Sequence, residues 1–245
     1  MSELPTKNVT LRIKRYNPEA GDKKGTLETY QLSGVLPTDR VLDLLNRVKW
    51  EQDGSLTYRR SCAHGICGSD AMVINGKNRL ACKILAKDLP DTITVEPLKG
   101  LPTKKDLVAD MEPFFKSYES VMPFQVVEHE PTGRERLQSH EDQQLIDDQA
   151  KCIMCSICTT SCPSFWSNDQ YVGPAAIVQA SRFLFDTRDE GNDERLKRLN
   201  EYTGVWRCRT IFNCVEACPQ GIDIPKHIGN VKKAILHGNT DFIRS

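Results

Sequence analysis

The residues with the greatest chemical capacity in this chain are its ten cysteines, which fall into three groups. The densest group lies in the segment CIMCSICTTSCPSFW at 152–166, with the spacing C-x2-C-x2-C-x3-C followed by a proline. Three thiolates at the first spacing can converge on one compact centre because the loops between them are short. Disulfide scaffolds exceed about 8% cysteine in a short chain, so ten cysteines in 245 residues favour metal binding instead.

A second run predicts that the fourth cysteine of the first run binds a different cluster from the other three. In bacterial two-cluster ferredoxins the run C-x2-C-x2-C-x3-C-P sends its last cysteine to the other cluster. The segment CRTIFNCVEACP at 208–219 supplies a partner run, with the spacing C-x5-C-x3-C-P. A cysteine at position 211 would complete the same pattern, but the residue there is Ile211.

This isoleucine predicts two different clusters. A [4Fe–4S] cluster is expected from four thiolates, those of Cys152, Cys155, Cys158 and Cys218. A [3Fe–4S] cluster is expected from Cys162, Cys208 and Cys214, because the corner opposite Ile211 has no thiolate to hold a fourth iron. Two structural zinc sites are the alternative, although zinc would not explain the interleaved runs or the two Cys-Pro steps.

The N-terminal group predicts a third cluster. Cys62 and Cys67 have the C-x4-C spacing of plant-type ferredoxins, but Asp70 stands where the next cysteine is expected. Cys82 follows on the return strand of a predicted hairpin. We expect a [2Fe–2S] cluster with three thiolates and the Asp70 carboxylate as ligands. Two alternatives remain: Asp70 as a loop residue beside the cluster, or a zinc site that uses His64.

The elements that must position the first group are mostly strands. Alternation of apolar and polar residues predicts strands at 9–13, 27–32, on both sides of Asn75-Gly76, and within 91–97. A helix with Val41, Leu44, Leu45 and Val48 on one face follows Thr38 or Asp39, either of which could be the N-cap.

The rest of the chain has helical patterns. We place the inter-domain connection near 100–110, with a [2Fe–2S] domain at 1–105 and a helical two-cluster domain at 106–245. A helix is predicted from Gly173-Pro174 to Phe185, and a last helix from Asp223 to Gly238. The charged run TRDEGNDERLKRLNE at 187–201 is interpreted as a solvated helix surface.

Composition limits the functions that the chain could have. A net charge of zero argues against nucleic-acid binding. No apolar run approaches the roughly 18–20 residues that span a bilayer, and the N-terminus has no secretory signal pattern. The sequence has no G-x-G-x-x-G opening a βαβ unit, so no flavin site is visible.

Four segments together resemble the iron–sulfur subunit of succinate:quinone oxidoreductase (succinate dehydrogenase, respiratory complex II) and its fumarate reductase relatives. They are SCAHGICGSDAMVINGKNRLAC, CIMCSICTTSCPSFW, GPAAIVQASRFLFDTRDE and WRCRTIFNCVEACP. The resemblance covers nearly the whole chain. It implies an α+β protein, with an N-terminal β-grasp plant-type ferredoxin domain and a C-terminal all-α bacterial-ferredoxin-like domain.

The resemblance also implies partners and a place in the cell. A flavoprotein with FAD would oxidise succinate, and electrons would pass through the three clusters to a quinone in a site shared with a membrane-anchor subunit. The chain would then be peripheral, on the cytoplasmic face of the cell membrane, with no complete active site of its own. A fumarate reductase subunit running in reverse and a zinc-stabilised interaction module are the alternatives.

Two departures from the family concern the quinone. Much of the family has a second Trp after the position of Trp166, where this chain has Ser167, and many members have His at the position of Arg209. We expect a menaquinone-type acceptor. The candidate quinone-side residues are Pro163, Ser164, Trp166, Arg209 and Ile211. Packing or electrostatic roles around a cluster are the alternative for these residues.

Overall fold

The computed structural model describes residues 5–129 and 133–243, and the chain forms two compact units. The first unit comprises Met1–Met111 together with Ile153–Thr160, and the second comprises Glu112–Cys152 together with Ser161–Ser245. The domain prediction divides the chain once, between 105 and 106. A short segment from the densest cysteine group, Ile153–Thr160, belongs to the same compact unit as the N-terminal strands.

The first unit is built on a five-stranded mixed sheet with the strand order β2-β1-β5-β3-β4. Its strands are β1 (Lys7–Arg15), β2 (Thr26–Val35), β3 (Ala71–Ile74), β4 (Lys77–Leu80) and β5 (Thr92–Glu96). β1 pairs antiparallel with β2 and parallel with β5, and β3 pairs antiparallel with β4 and β5. The five predicted strands are therefore confirmed.

The core of this unit explains why the strands form. Val9, Leu11 and Ile13 on β1 are fully buried, as are Ile93 and Val95 on β5. Because side chains alternate across a strand, these residues form one continuous apolar face. The helix α1 (Val41–Arg47) continues into a π-helical turn at Val48–Gln52.

The N-cap of α1 is Arg40, so the prediction of Thr38 or Asp39 was wrong. Asp43, at the third helical position, accepts a hydrogen bond from the backbone N–H of Arg40 at 2.9 Å. The Asp39 carboxylate instead accepts the N–H of Leu36 at 2.9 Å, which closes the preceding turn. The Asp43 carboxylate thus makes the N3 half of a capping box, in which the third helical residue accepts the N–H of the N-cap residue.

The stretch predicted as a connection contains a second small sheet. It consists of β6 (Thr103–Lys105) and β7 (Val108–Ala109). Asp106 between them is buried and accepts hydrogen bonds from Arg15 Nε at 3.0 Å and from the N–H of Thr57 at 2.8 Å. A buried carboxylate with this many donors ties the stretch to the first unit.

The second unit is helical, as predicted. Its helices are α2 (Glu112–Glu119), α3 (His140–Gln144), α4 (Asp147–Ala150), α6 (Pro163–Ser167), α7 (Gly173–Leu184), α8 (Asn192–Asn200), α9 (Asn213–Ala217) and α10 (Ile224–His237), while α5 (Ile157–Thr160) belongs to the first unit. Short 3-10 turns lie at Pro18–Ala20, Ala86–Asp88, Val205–Arg207 and Asp241–Ile243. In the part of the chain that the structure describes, no helix has the length and apolar character needed to cross a membrane.

The last two predicted helices are confirmed with their ends. Pro174 lies in the first turn of α7, and Phe185 is its C-cap. Asp223 caps α10 by accepting the N–H of Lys226 at 3.2 Å, and Gly238 ends that helix with a φ of 69°. A left-handed residue at the end of a helix satisfies carbonyls that would otherwise lack partners.

The charged run at 187–201 is not a solvated surface throughout, so that interpretation was wrong. The side chains of Arg195 and Asp189 are both 0% exposed and form an ion pair. Arg195 also donates to the carbonyl of Met122 at 3.1 Å and to that of Phe124 at 2.6 Å. The guanidinium therefore joins α8 to the segment that follows α2. It can be buried because its N–H groups are hydrogen-bonded to protein acceptors.

Replacing Arg195 with Ala is expected to destabilise the folded chain by about 3–5 kcal/mol, because the buried carboxylate of Asp189 would lose its cationic partner. Arg198→Ala is the matched control, since that arginine lies on the same helix and pairs with the exposed Glu201 at the helix C-cap. The control is expected to cost less than about 1 kcal/mol. Thermal unfolding of the two variants measures the difference, and equal midpoints would contradict the buried pair's role.

Candidate iron–sulfur sites

The loop at 62–70 surrounds two of the first-group thiols with backbone N–H groups. The N–H groups of His64 and Cys67 approach the Cys62 sulfur at 3.5 and 3.3 Å, and the Cys62 N–H approaches the Cys67 sulfur at 3.5 Å. Ala63, Gly65 and Gly68 are left-handed, which turns successive N–H groups inward. Hydrogen bonding, chiefly from the His64 N–H, lowers the pKa of Cys62 to about 6. The loop therefore favours sulfur in its anionic form.

Asp70 and Cys82 lie together at the buried side of this loop. Asp70 is 2% exposed, and its Oδ2 accepts the backbone N–H of Cys82 at 2.6 Å. Its Oδ1 is buried and has no hydrogen-bond partner among the described residues. Burial and the adjacent carboxylate raise the pKa of the Cys82 thiol to about 12.

Iron would resolve both of these unfavourable features. An iron ion between the two groups would be bound by the unpartnered Oδ1 of Asp70. Its positive charge would also lower the pKa of the Cys82 thiol and so favour the thiolate. The residues at this loop thus fit a cluster that has one oxygen ligand and three sulfur ligands.

Gly68 allows the second cysteine group to approach the first group within the first unit. A Cβ added at this position would lie 2.7 Å from the Cβ of Cys155 and 3.1 Å from the carbonyl oxygen of Ile153. Gly68 also has a φ of 68°, which side chains larger than hydrogen rarely adopt. Both the space and the backbone conformation therefore require glycine here.

The four thiols assigned to [4Fe–4S] are divided between the two units. Cys155 and the buried Cys158 belong to the first unit, and Cys152 and Cys218 belong to the second. Met154 and Ser156, on either side of Cys155, have φ values of 54° and 62°. Alternating left-handed residues form a nest of N–H groups suited to an anion, so the loop fits a cluster even without glycines.

The three thiols assigned to [3Fe–4S] meet at one cavity of the second unit. Cys162, Cys208 and Cys214 all line this cavity. Burial, together with the charges of the other two thiols, raises the pKa of Cys214 to about 11. The thiols thus influence one another's ionisation, as groups that share a polynuclear centre would.

Most of the predicted quinone-side residues line the same cavity. They are Pro163, Ser164, Arg209 and Ile211. The fifth residue, Trp166, is not among the lining residues, and 52% of its surface is exposed. Ile211 is 48% exposed, so it lies at the mouth of the cavity, beside the three thiols.

Sequence reasoning missed seven residues that line the cavity: Tyr171, Pro174, Thr210, Phe212, Asn213, Pro225 and Ile228. The two prolines lie in the first turns of α7 and α10. Both helix starts were readable in the sequence, but nothing in it indicated that they border the same cavity. The positive ends of two helix dipoles there favour an anionic occupant.

Another neighbour of this cavity was also missed. Lys232 on α10 donates to the carbonyl of Cys208 at 3.1 Å, and its ammonium group lies 5.9 Å from the ring centre of Trp206. The helical spacing of α10 predicts its buried stripe but not the target of a polar side chain at its edge. This lysine places a positive charge beside a ligand-bearing segment.

The fold and these sites define an iron–sulfur protein of the ferredoxin type, with cysteine loops on both a mixed sheet and a helical unit. Among the described residues, no group of three or more His, Cys, Asp or Glu closes around a single metal ion. Two family models match the chain in the corresponding order. A 2Fe-2S iron-sulfur cluster binding domain matches residues 10–116, and a 4Fe-4S dicluster domain matches residues 144–219.

The chain belongs to the family of succinate dehydrogenase iron–sulfur subunits. It is 40% identical to such a subunit from Coxiella burnetii, over 93% of this chain and 97% of the relative. It is 42% identical to the mitochondrial succinate dehydrogenase [ubiquinone] iron-sulfur subunit 1 of Oryza sativa subsp. japonica, over 93% of this chain and 82% of the relative. The solved Mycobacterium smegmatis Sdh1 complex in the apo form contains a similar chain, with a TM-score of 0.86, 25% identity, and coverage of 96% and 98%.

Family membership confirms several predictions. The resemblance, the α+β class with two ferredoxin-like parts and the role as an iron–sulfur electron-transfer subunit of an oxidoreductase are all confirmed. The cofactor prediction of [2Fe–2S], [4Fe–4S] and [3Fe–4S] clusters is confirmed for the family. The assignment of each ligand residue and the domain boundary remain predictions.

Proposed function

We propose that this chain carries electrons from the FAD of a flavoprotein subunit, which oxidises succinate to fumarate, to a quinone in the membrane. The observation that carries this proposal is the convergence of Cys162, Cys208 and Cys214 on one cavity with Ile211 at its mouth. A three-thiol site beside an exposed apolar residue suits the last cluster of an electron-transfer series, from which a lipid-soluble quinone is reduced.

Each cluster has a ligand set in this proposal. The [2Fe–2S] cluster is held by Cys62, Cys67, Asp70 and Cys82, the [4Fe–4S] cluster by Cys152, Cys155, Cys158 and Cys218, and the [3Fe–4S] cluster by Cys162, Cys208 and Cys214. When bound, the clusters accept and pass on single electrons. The chain itself supplies thiolates, hydrogen bonds to sulfur and exclusion of water.

The protein's means of setting potentials differ between the two ends of this series. At 62–70 the backbone N–H groups stabilise negative charge on sulfur, while the Asp70 carboxylate adds a hard, charged ligand. At the cavity of the second unit, Arg209 places a cation among the lining residues. A fixed positive charge beside an anionic cluster raises its potential, which favours delivery of electrons to the last site.

The acceptor end of the chain is proposed to meet a menaquinone-type quinone and a membrane-anchor subunit. Pro163, Ser164, Arg209 and Ile211 line the cavity. The exposed Trp166 lies on α6, after Pro163 and Ser164. With Arg209 at a position where many family members have His, a proton for the reduced quinone would come from another group. The complex would hold this chain on the cytoplasmic face of the cell membrane.

Electron paramagnetic resonance (EPR) of the purified complex tests this function. Succinate is expected to reduce the [3Fe–4S] cluster, and dithionite is expected to bring out the remaining reduced clusters. Iron analysis should give about nine irons per chain, the sum of two, four and three, with negligible zinc. A colourless zinc protein would overturn the proposal. A [3Fe–4S] potential far below that of the working quinone would instead favour fumarate reduction.

A further inference from the structure

A buried histidine of α10 is hydrogen-bonded to an aspartate of α4. His227 is 3% exposed, and its Nε2 lies 2.8 Å from Oδ2 of Asp148. Asp148 lies four residues before Cys152, and α10 begins shortly after Cys218. The pair therefore connects the segments that carry two of the thiols assigned to [4Fe–4S], both within the second unit.

The carboxylate of Asp148 accepts two further hydrogen bonds from these segments. Its Oδ2 also accepts the backbone N–H of Asp223 at 3.0 Å, five residues after Cys218. Its Oδ1 accepts from Nζ of Lys151 at 3.0 Å, the residue directly before Cys152. One carboxylate thus receives donors from both cysteine-bearing segments, which are 75 residues apart at the Asp148–Asp223 contact.

The charges make this contact strong. Burial opposes ionisation of Asp148, but hydrogen bonds from His227, Lys151 and the Asp223 N–H lower the pKa of the carboxyl to about 2. The carboxylate is therefore ionised at neutral pH, and hydrogen bonds to an ionised acceptor are about twice as strong as neutral ones. The bond from His227 requires a proton on Nε2.

The other ring nitrogen of His227 is unused. Its Nδ1 is buried and has no hydrogen-bond partner among the described residues. A buried polar atom without a partner costs about 1–3 kcal/mol. The bond from Nε2 to the ionised Asp148 offsets this cost.

We propose that Asp148 and His227 are positioning residues of the [4Fe–4S] site, holding the segment that carries Cys152 against the segment that carries Cys218. This inference rests on the ligand assignment in the proposed function. Neither residue is among the four thiols assigned as ligands. The pair fixes the separation of two ligand-bearing segments, so its loss weakens retention of this cluster and leaves the [3Fe–4S] site intact.

Two substitutions of His227 separate positioning from general packing. In His227→Gln the side-chain amide can place its N–H near the position of Nε2 and still donate to Asp148. In His227→Asn the amide lies near the position of Nδ1 and cannot reach. His237→Ala is the matched control, because that histidine is exposed on the same helix.

The experiment uses the purified complex and measures the three clusters in one sample. Iron release to a chelator is followed together with the EPR signals of reduced [4Fe–4S] and oxidised [3Fe–4S]. His227→Asn is expected to lose [4Fe–4S] about 10-fold faster than the wild type, in the range found for residues that orient metal ligands. His227→Gln and His237→Ala should match the wild type, and the [3Fe–4S] signal should persist in all samples.

The outcomes separate this inference from the function on which it rests. If His227→Asn keeps its [4Fe–4S] as long as the wild type does, or loses all three clusters equally, the positioning role is overturned and the proposed function stands. If the wild-type complex itself lacks a [4Fe–4S] signal, the ligand assignment fails, and this inference fails with it.

Discussion

Replacing Ile211 with cysteine is expected to convert the third cluster from [3Fe–4S] to [4Fe–4S]. Ile211 lines the cavity that the thiols of Cys162, Cys208 and Cys214 also line. A thiolate at this position would supply the ligand that a fourth iron needs. It would also restore the run C-x2-C-x2-C-x3-C-P, which holds [4Fe–4S] clusters in bacterial ferredoxins.

The measurement is EPR of the oxidised complex. The [3Fe–4S] signal should disappear in Ile211→Cys, and the iron content should rise from about nine to about ten per chain. Quinone reduction with succinate should fall, because cluster type is a main determinant of reduction potential. The potential of the third cluster would no longer match that of the quinone. Loss of activity alone would not establish the conversion.

Ile211→Val is the matched control for this substitution. It keeps a branched apolar side chain at the mouth of the cavity and adds no ligand. This variant should retain the three-iron signal and the original iron content. An undiminished three-iron signal in Ile211→Cys would show that position 211 does not face the open corner of the cluster, and the ligand assignment at the third site would be wrong.

Replacing Asp70 with alanine is expected to remove the [2Fe–2S] cluster from most of the purified protein. The Asp70 carboxylate is buried beside Cys82, with Oδ1 lacking a partner among the described residues. In the variant, one iron would lose its oxygen ligand, and the backbone N–H of Cys82 would lose its acceptor. Iron content and the EPR signal of the reduced cluster measure the loss.

Two further variants separate iron ligation from a purely structural role for Asp70. Asp70→Asn keeps an acceptor for the Cys82 N–H but removes the charge, so a structural role predicts a normal cluster and a ligand role predicts a weakened one. Asp70→Cys supplies a thiolate, and the ligand role predicts a retained cluster with altered EPR g values. Unchanged g values in Asp70→Cys, with a normal cluster in Asp70→Asn, would contradict ligation.

The sequence by itself determined the chemistry of the sites. Cysteine spacing indicated three groups, and Ile211 in the second run predicted that one cluster would have a ligand fewer. Alternating apolar residues such as Val9, Leu11 and Ile13 predicted the strands correctly, because the period of two follows directly from strand geometry. These signals are local, and local physical rules suffice to interpret them.

Only the tertiary structure decided how the cysteine loops turn. Ala63, Met154, Ser156, Thr210 and Phe212 are left-handed, although none is glycine. A left-handed backbone is disfavoured for such residues, so propensity predicts the opposite conformation. Their strain is offset by interactions in the folded loops, which no window of the sequence contains.

Burial of charge likewise depended on distant parts of the chain. Arg195 lies in a run that looks solvated, yet its guanidinium is enclosed because the carbonyls of Met122 and Phe124 need donors. The bond between Asp148 and His227 joins residues that are 79 positions apart. Residue types and spacing therefore determined which atoms could bind iron. The packing of separate segments decided which charged side chains are buried and which ligand-bearing segments are joined. The free energies of burial and of hydrogen bonding depend on neighbours that are remote in sequence.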